Sequence, residues 1–233
     1  MLIDPGHGGH DHGAVKHNVR EATLTLSISK KLKRKLDKDP NFLTTITRSK
    51  NKKITLRQRV VKAHKKSADV FLSIHANSSP SIRARGAEFY FQNTFTPDQY
   101  SLFIANRENG DEASQKGHRP SVFLENYNND VGHILDDMAR KNYINKSHEF
   151  AKIVQRQWKK EFKTKRARIK QAPFYVVSST NMPALLVEVG YITNDRERKR
   201  LVTEAYQNRI VDSLYKALAD LRSKMHINTA QKL

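Results

Sequence analysis

Cysteine is absent from the 233-residue chain. That excludes disulfides and thiolate metal ligands, so any bound metal must sit on His, Asp or Glu. The absence fits an oxidising compartment without requiring one. No run of eighteen apolar residues occurs, and the segment after Met1 lacks the basic-then-apolar layout of a signal peptide. As it stands, the sequence therefore reads as soluble and untargeted, with no transmembrane segment. Acids are scarce: 23 Asp and Glu face 43 Lys and Arg, a formal charge of +20. Basic residues cluster in "KKLKRKLDK", from Arg48 to Lys66 without an interrupting acid, and in "KKEFKTKRARIK". Such blocks suit a polyanion (nucleic acid, anionic lipid or an anionic cell-wall polymer) or form an ordinary solvated face. Neither zinc-finger spacing nor an RRM-type aromatic signature is present, so nucleic acid is not the expected partner. No internal repeat is visible.

What is present alternates in period. Leu24, Ile28, Leu32 and Leu36 recur at four-residue spacing and mark a helix from about Thr23 to Lys38. "FLTTIT" reads as a strand and "TLRQRVVKAHKK" as a helix with Thr55 as N-cap. "VFLSIH", "GAEFYF", "FYVV" and "ALLVEV" read as strands. Phe150, Val154, Trp158 and Phe162 stripe one later helix, and Tyr206, Ile210, Leu214, Leu218 and Leu221 stripe a closing one; both stripes read as core. Strands interleaved with helices imply a single α/β domain over residues 1–233, with a central mostly parallel or mixed sheet flanked by helices. Between Asn93 and Lys146 the pattern loosens, and from Glu108 to Asp137 seven acids face two bases. Residues 93–146 are expected to form an insertion with some helix of its own.

The chain opens on "IDPGHGGHDHGA". This glycine-rich loop lacks the GxxxxGK[ST] and GxGxxG spacings of phosphate loops, and its histidines alternate with Gly and Asp, unlike a tag. Imidazole is the commonest metal ligand and glycine lets backbone turn tightly around an ion, so the loop reads as part of a metal site. Partners are sought at strand ends. His75 closes the strand in "VFLSIHAN". Glu188 lies inside the apolar "LLVEVGYITN", where a carboxylate is costly unless it meets a cation, a donor or water; the alternative is a salt-bridged edge residue. Glu21 precedes the first helix, where alone it reads as a carboxylate favoured by the helix dipole.

Taken in order, "IDPGHGGHDHGA", Glu21, "ITR" at Arg48, "LRQRV", "ADVFLSIHAN", "PFYVV" and "NMPALLVEVGYITN" resemble the zinc-dependent N-acetylmuramoyl-L-alanine amidases of the amidase-3 type. The resemblance runs through nearly the whole chain outside the insertion. It implies a Zn2+ site on His7, Glu21 and His75, and Glu188 as the catalytic glutamate that moves a proton from water to the leaving amine. The bond cut would join N-acetylmuramic acid to L-alanine in peptidoglycan. His10 and His12 match no family role. Asp4 shapes the loop or holds a ligand from behind. Asn77 and Arg48 are candidates for substrate binding, with a strand-end turn and an ion pair as their structural alternatives.

The insertion resembles the regulatory segment of Gram-negative cell-division amidases, which implies a role in daughter-cell separation, a periplasmic or envelope location and an activator protein. In "PDQYSLFIANRENGDE", Tyr100, Phe103 and Ile104 offer an apolar docking face. Glu108 is the candidate acidic cap on the metal, with Glu112 as competitor. The chain starts almost at its first motif, so an export signal or wall-targeting domain is expected to be missing upstream. A noncatalytic basic module binding cell wall or polyanion remains the alternative, as does a zinc peptidase of another kind.

Overall fold

Short apolar segments with alternating faces become strands here because helices cover both sides of the sheet they form. The computed structural model describes residues 1–92, 97–110 and 130–230. Six strands, β1 (Leu2–Pro5), β4 (Thr45–Ile46), β5 (Phe71–Asn77), β6 (Ala87–Phe91), β7 (Ala167–Gln171) and β8 (Ala184–Tyr191), make one sheet in the order β4-β1-β5-β8-β6-β7. All neighbouring pairs are parallel except β6 with β8, so the sheet is mixed. A separate two-stranded ribbon joins β2 (Val15–Lys16) to β3 (Val19–Arg20). The helices are α1 (Glu21–Leu36), α2 (Leu56–Lys65), α3 (Gln99–Asn109), α4 (Asp130–Phe162), α5 (Tyr175–Ser178), α6 (Asp195–Leu201) and α7 (Glu204–Ala230). The chain is a single α/β domain, as its alternating pattern implies. Among the described residues no helix is long and apolar enough to cross a membrane.

Side chains on a strand alternate between faces, and the two faces of this sheet differ. One face buries Ile3, Leu72, Ile74, Leu185, Val187 and Phe89 against the α1 stripe of Leu24, Ile28 and Leu32, the α4 stripe of Phe150, Val154 and Trp158, and Ile210 and Leu214 of α7. Each such side chain contributes about 1.5–3 kcal/mol on burial, so most of the hydrophobic stabilisation lies here. On the opposite face, Leu2, Phe71, Tyr90 and Leu186 pack with Ala63 of α2, Ile104 of α3 and Phe174, Val176 and Val177 around α5. The same face carries Asp4, Ser73, His75, Glu188 and Glu88, all buried.

Several local expectations hold in detail. Thr55 caps α2, its hydroxyl accepting from Gln58 N–H while the Gln58 side chain accepts from Thr55 N–H. Others are corrected. "FYVV" is not a strand: Tyr175–Ser178 is one helical turn, because Asn109 of α3 accepts from Tyr175 N–H and donates to the Pro173 carbonyl, fixing the chain where a helix begins. "FLTTIT" pairs only through Thr45–Ile46. The segment "ARIKQ", hidden inside a basic block, is strand β7, with Ala167 and Ile169 facing the α4 side. Helix α4 runs unbroken from Asp130 into the Phe150 stripe. On α3, Ile104 is fully buried and Tyr100 half-buried, but Phe103 is 54% exposed, so the docking face consists of Tyr100 and Ile104 without Phe103.

Candidate metal centre

The loop after β1 is tied down on its outer side by two arginines. Arg59 of α2 donates to Asp4 Oδ1 at 2.7 Å, to the Pro5 carbonyl at 2.6 Å and to the His7 carbonyl at 2.9 Å. Arg48 donates to the carbonyls of Pro5, Gly6 and Ala22. Asp4 also accepts from Thr47 and Ser73 hydroxyls. Asp4 therefore shapes the loop and holds no imidazole; Asp11 does that, its carboxylate 3.0 Å from His7 Nδ1. Sequence reasoning missed Asp11, whose signal was its place four residues after His7.

Four donors converge inside this frame. One ligand atom from each of His7, Glu21, His75 and Glu108 lies within 4.8 Å of the others. Glu21, at the start of α1, accepts from Ala14 N–H and Ala76 N–H, which aims its two oxygens at His7 Nε2 (3.2 Å) and His75 Nδ1 (3.1 Å). Glu108, near the end of α3, brings Oε2 to 3.1 Å from His7 Nε2 and 3.3 Å from His75 Nδ1. Its other oxygen accepts two hydrogen bonds from Arg107, which also donates to the Ser78 carbonyl and hydroxyl. Glycine is required where the loop meets these ligands. A Cβ on Gly6 would lie 2.4 Å from the His75 ring, and one on Gly13, whose φ is +60°, would lie 2.5 Å from His7 and 2.6 Å from Glu21.

The electrostatics of this cluster are set by its own members. Burial disfavours charge on every member, yet the imidazoles and carboxylates outweigh it for one another. Glu21 falls to about 2 through His7 and His75, and His75 rises to about 9 through Glu108 and Glu21. Glu108 is held well below the usual carboxylate range by the same two histidines, and His7 is raised well above the ordinary histidine value. His7 Nε2 and Glu108 Oε2 are buried without a hydrogen bond although they nearly touch. Two nitrogens and two carboxylates around one point, with no sulfur, are donors that could hold a metal ion.

Glu188 stands next to the cluster. It pairs in register with His75 on β5 and with Glu88 on β6, so the three side chains share one sheet face. It is fully buried on a central strand, not at an edge, and neither carboxylate oxygen has a hydrogen bond among the described residues. Burial, then the charges of Glu21 and Glu108, push its pKa well above the usual value against the pull of His75 and Arg107. Asn77 is buried and spent on the protein, donating to Glu88 and Tyr100 and accepting from Ser78 N–H. The guanidinium of Arg48 is likewise taken up by carbonyls. The structure thus brings together His7, Glu21, His75, Glu108 and Glu188, and leaves Asn77 and Arg48 in supporting positions. His10 is exposed, and neither it nor His12 joins the donor group. Glu112 lies outside the described residues.

Residues 1–220 match the family model described as N-acetylmuramoyl-L-alanine amidase, of the amidase-3 type. The amidase AmiC of Escherichia coli is 31% identical over 220 residues, covering 92% of this chain and 50% of AmiC. AmiA of Escherichia coli is 31% identical over 217 residues, covering 92% of this chain and 73% of AmiA. The chain thus spans about half the length of AmiC. Among solved structures, the catalytic domain of the amidase CwlV from Bacillus (Paenibacillus) polymyxa aligns with a TM-score of 0.67 at 28% identity, covering 95% of this chain and 97% of that one. An amidase from Clostridium difficile aligns with a TM-score of 0.70 at 26% identity, covering 95% of each. The sheet order, the donor cluster and these matches converge: the chain belongs to the amidase-3 type family of N-acetylmuramoyl-L-alanine amidases.

Proposed function

We propose that the chain is a zinc-dependent hydrolase that cuts the amide bond between N-acetylmuramic acid and L-alanine in peptidoglycan. The observation that carries this reading is the buried donor group of His7, Glu21 and His75 with the unpartnered carboxyl of Glu188 one strand away. His7, Glu21 and His75 would hold the zinc. Zinc at such a site polarises an amide carbonyl and makes water nucleophilic near pH 7. Glu188 takes the proton from the attacking water and delivers it to the amine as the C–N bond breaks, leaving a lactyl carboxylate and a free L-alanine amino terminus. Its apolar strand supplies what this task needs, a carboxyl whose proton affinity is raised by burial.

Glu108 is the fourth donor of the group, and in the position it occupies it competes with substrate and water for the metal. The resting enzyme is therefore autoinhibited by α3. Activation requires a partner, a protein binding the 93–146 segment, with greater affinity for the displaced than for the docked state. This regulation suits an enzyme of daughter-cell separation in the periplasm or envelope, where the basic surface is attracted to anionic wall and membrane components. The alternative, a noncatalytic wall-binding module, gives no account of an unpaired buried carboxylate beside four metal donors. Mass spectrometry of peptidoglycan incubated with the zinc-loaded Glu108→Ala chain, which lacks the competing carboxylate, tests the activity. Stem peptides with a free L-alanine amino terminus are expected; cut glycan, cut cross-links or an untouched wall would overturn the assignment.

A further inference from the structure

Two strands beyond Glu188, the row of registered side chains ends in a basic cleft. His75 pairs with Glu188, Glu188 with Glu88, and Glu88 with Arg168 on β7. Neighbouring strands lie about 4.8 Å apart, so Arg168 is roughly 10 Å from Glu188 along the sheet. A cavity of about 440 Å3 opens there, with Arg83 and Arg85 from the loop between β5 and β6, and Arg166, Arg168 and Lys170 from β7 and its approach. Lys170 is engaged, 3.4 Å from Glu88 and over the Tyr100 ring. No ion pair joins any of the four arginines to a described acid. Five cations therefore line the cleft with one carboxylate, Glu88, on its floor, while Asp98 lies 4.0 Å from Lys170 at its edge.

We propose that this cleft is the subsite for the free carboxylates of the peptidoglycan stem peptide, gripping the peptide beyond the bond that is cut. This rests on the activity proposed above. Three observations select a short acidic peptide over a phosphodiester polymer. An extended chain advances about 3.3–3.6 Å per residue, so the distance from Glu188 to Arg168 is roughly three residues, the reach of a stem peptide. The cavity has the size of a small-ligand site and not of an open track for a long strand. Glu88, with the hydroxyl of Tyr191 on β8 beside it, repels a dense run of negative charge but accommodates the amine of a zwitterionic diamino residue. Arginine is the side chain suited to carboxylates, because its planar fork donates two parallel hydrogen bonds.

The test measures binding separately from turnover. Calorimetry on the full chain would compare a stem tetrapeptide with free carboxylates, the same peptide fully amidated, and a glycerol-phosphate oligomer. The wild-type chain should prefer the free-carboxylate peptide. In an Arg166→Gln/Arg168→Gln double variant that preference should fall by roughly tenfold, the sum of two partly exposed ion pairs, and Lys at both positions should restore part of it. Both arginines are exposed, so the fold should survive, as thermal unfolding would verify. On wall substrate the same variant should raise KM with kcat little changed. Equal affinity for the amidated peptide, normal binding by the double variant, or tight binding of the phosphate oligomer alone would overturn the proposal. A Glu108→Ala preparation, free of the competing carboxylate, that binds the acidic peptide through these arginines but cuts no wall would refute the activity and leave the subsite standing.

Discussion

Gly6→Ala is the smallest change that should disable the site, because a single methyl enters the space of a ligand that cannot move away. A Cβ at position 6 would sit 2.4, 2.6 and 2.7 Å from three atoms of the His75 ring, whereas carbon contacts are comfortable at about 3.5–4.0 Å. The deficit is about 1 Å, and the loop cannot supply it. Gly6 N–H donates to the Ile74 carbonyl at 3.0 Å, and the Gly6 carbonyl accepts from Thr25 at 3.0 Å and from Arg48 at 2.7 Å. The imidazole must therefore retreat, though it is 6% exposed and held by Glu21. Overpacking of this kind costs about 1–3 kcal/mol, which in a domain this size lowers the metal-free melting point by about 2–4 °C for each kcal/mol. Zinc sites tolerate ligand displacements of about 0.2 Å, so affinity should fall at least as far as for a lost ligand support, about 10- to 100-fold. Thermal unfolding of the metal-free chain and competition with a zinc chelator measure the two effects independently. A variant that melts like the wild type and keeps its zinc would refute the claim that Gly6 is selected by the approach of His75.

Three further outcomes follow from the same geometry. Glu188→Gln should take up zinc and fold normally, losing no stability because it removes a buried carboxylate whose oxygens have no hydrogen bond, while hydrolysis drops by about 100-fold or more; near-normal turnover would demote Glu188 to a structural role. Glu108→Ala should raise basal hydrolysis about tenfold or more, since each 1.4 kcal/mol taken from the docked state shifts the equilibrium tenfold; an unchanged rate in a zinc-loaded variant would sink autoinhibition by α3. His64 accepts from Asn181 N–H and burial holds its pKa below 6.5, so its contribution is present above pH 6.5 and is lost as pH falls through the folded value; His64→Gln should flatten the decline of urea midpoint between pH 7 and 5, and an identical decline would refute this.

The residues that were legible in the sequence are those whose chemistry contradicts their surroundings. His75 ends an apolar strand, Glu188 interrupts one, and histidines crowd a glycine loop; each is costly as packing and useful as a site. The misread positions depend on three-dimensional phase. Asp11, not Asp4, supports His7 because His7 adopts a positive φ of 57°, a turn of the loop that no pattern encodes. Phe103 and Ile104 are adjacent in sequence but about 100° apart around α3, so only docking tells which is buried. Strand β7 escaped notice because its outward Arg168 and Lys170 read as part of a charge block, and α5 because a four-residue apolar run has no period to distinguish helix from strand.

The division of labour between the two sheet faces explains how the fold tolerates so many buried charges. The face under α1, α4 and α7 is almost wholly apolar, and it holds the domain together whatever happens opposite. On the other face Asp4 is paired with Arg59 and hydrogen-bonded by Thr47 and Ser73, but Glu188 has no such partner among the described residues, and an unpaired buried carboxyl is destabilising until something polar meets it. The element covering the donor group there, α3, is lightly held. Helix α3 buries only Ser101, Ile104 and Ala105 fully, and Ile104, its one large apolar anchor, contributes about 1.5–3 kcal/mol. Beyond that it is held by Tyr100 against Tyr191 and by the Arg107–Glu108 contacts with the β5 end and the donor group. Reversing a two-state equilibrium from 1:99 to 99:1 takes about 5.5 kcal/mol, which one modest protein interface supplies. Displacing α3 would uncover the donor group and Glu188 together while leaving the apolar core on the far face untouched, so the proposed activator could act without unfolding the domain.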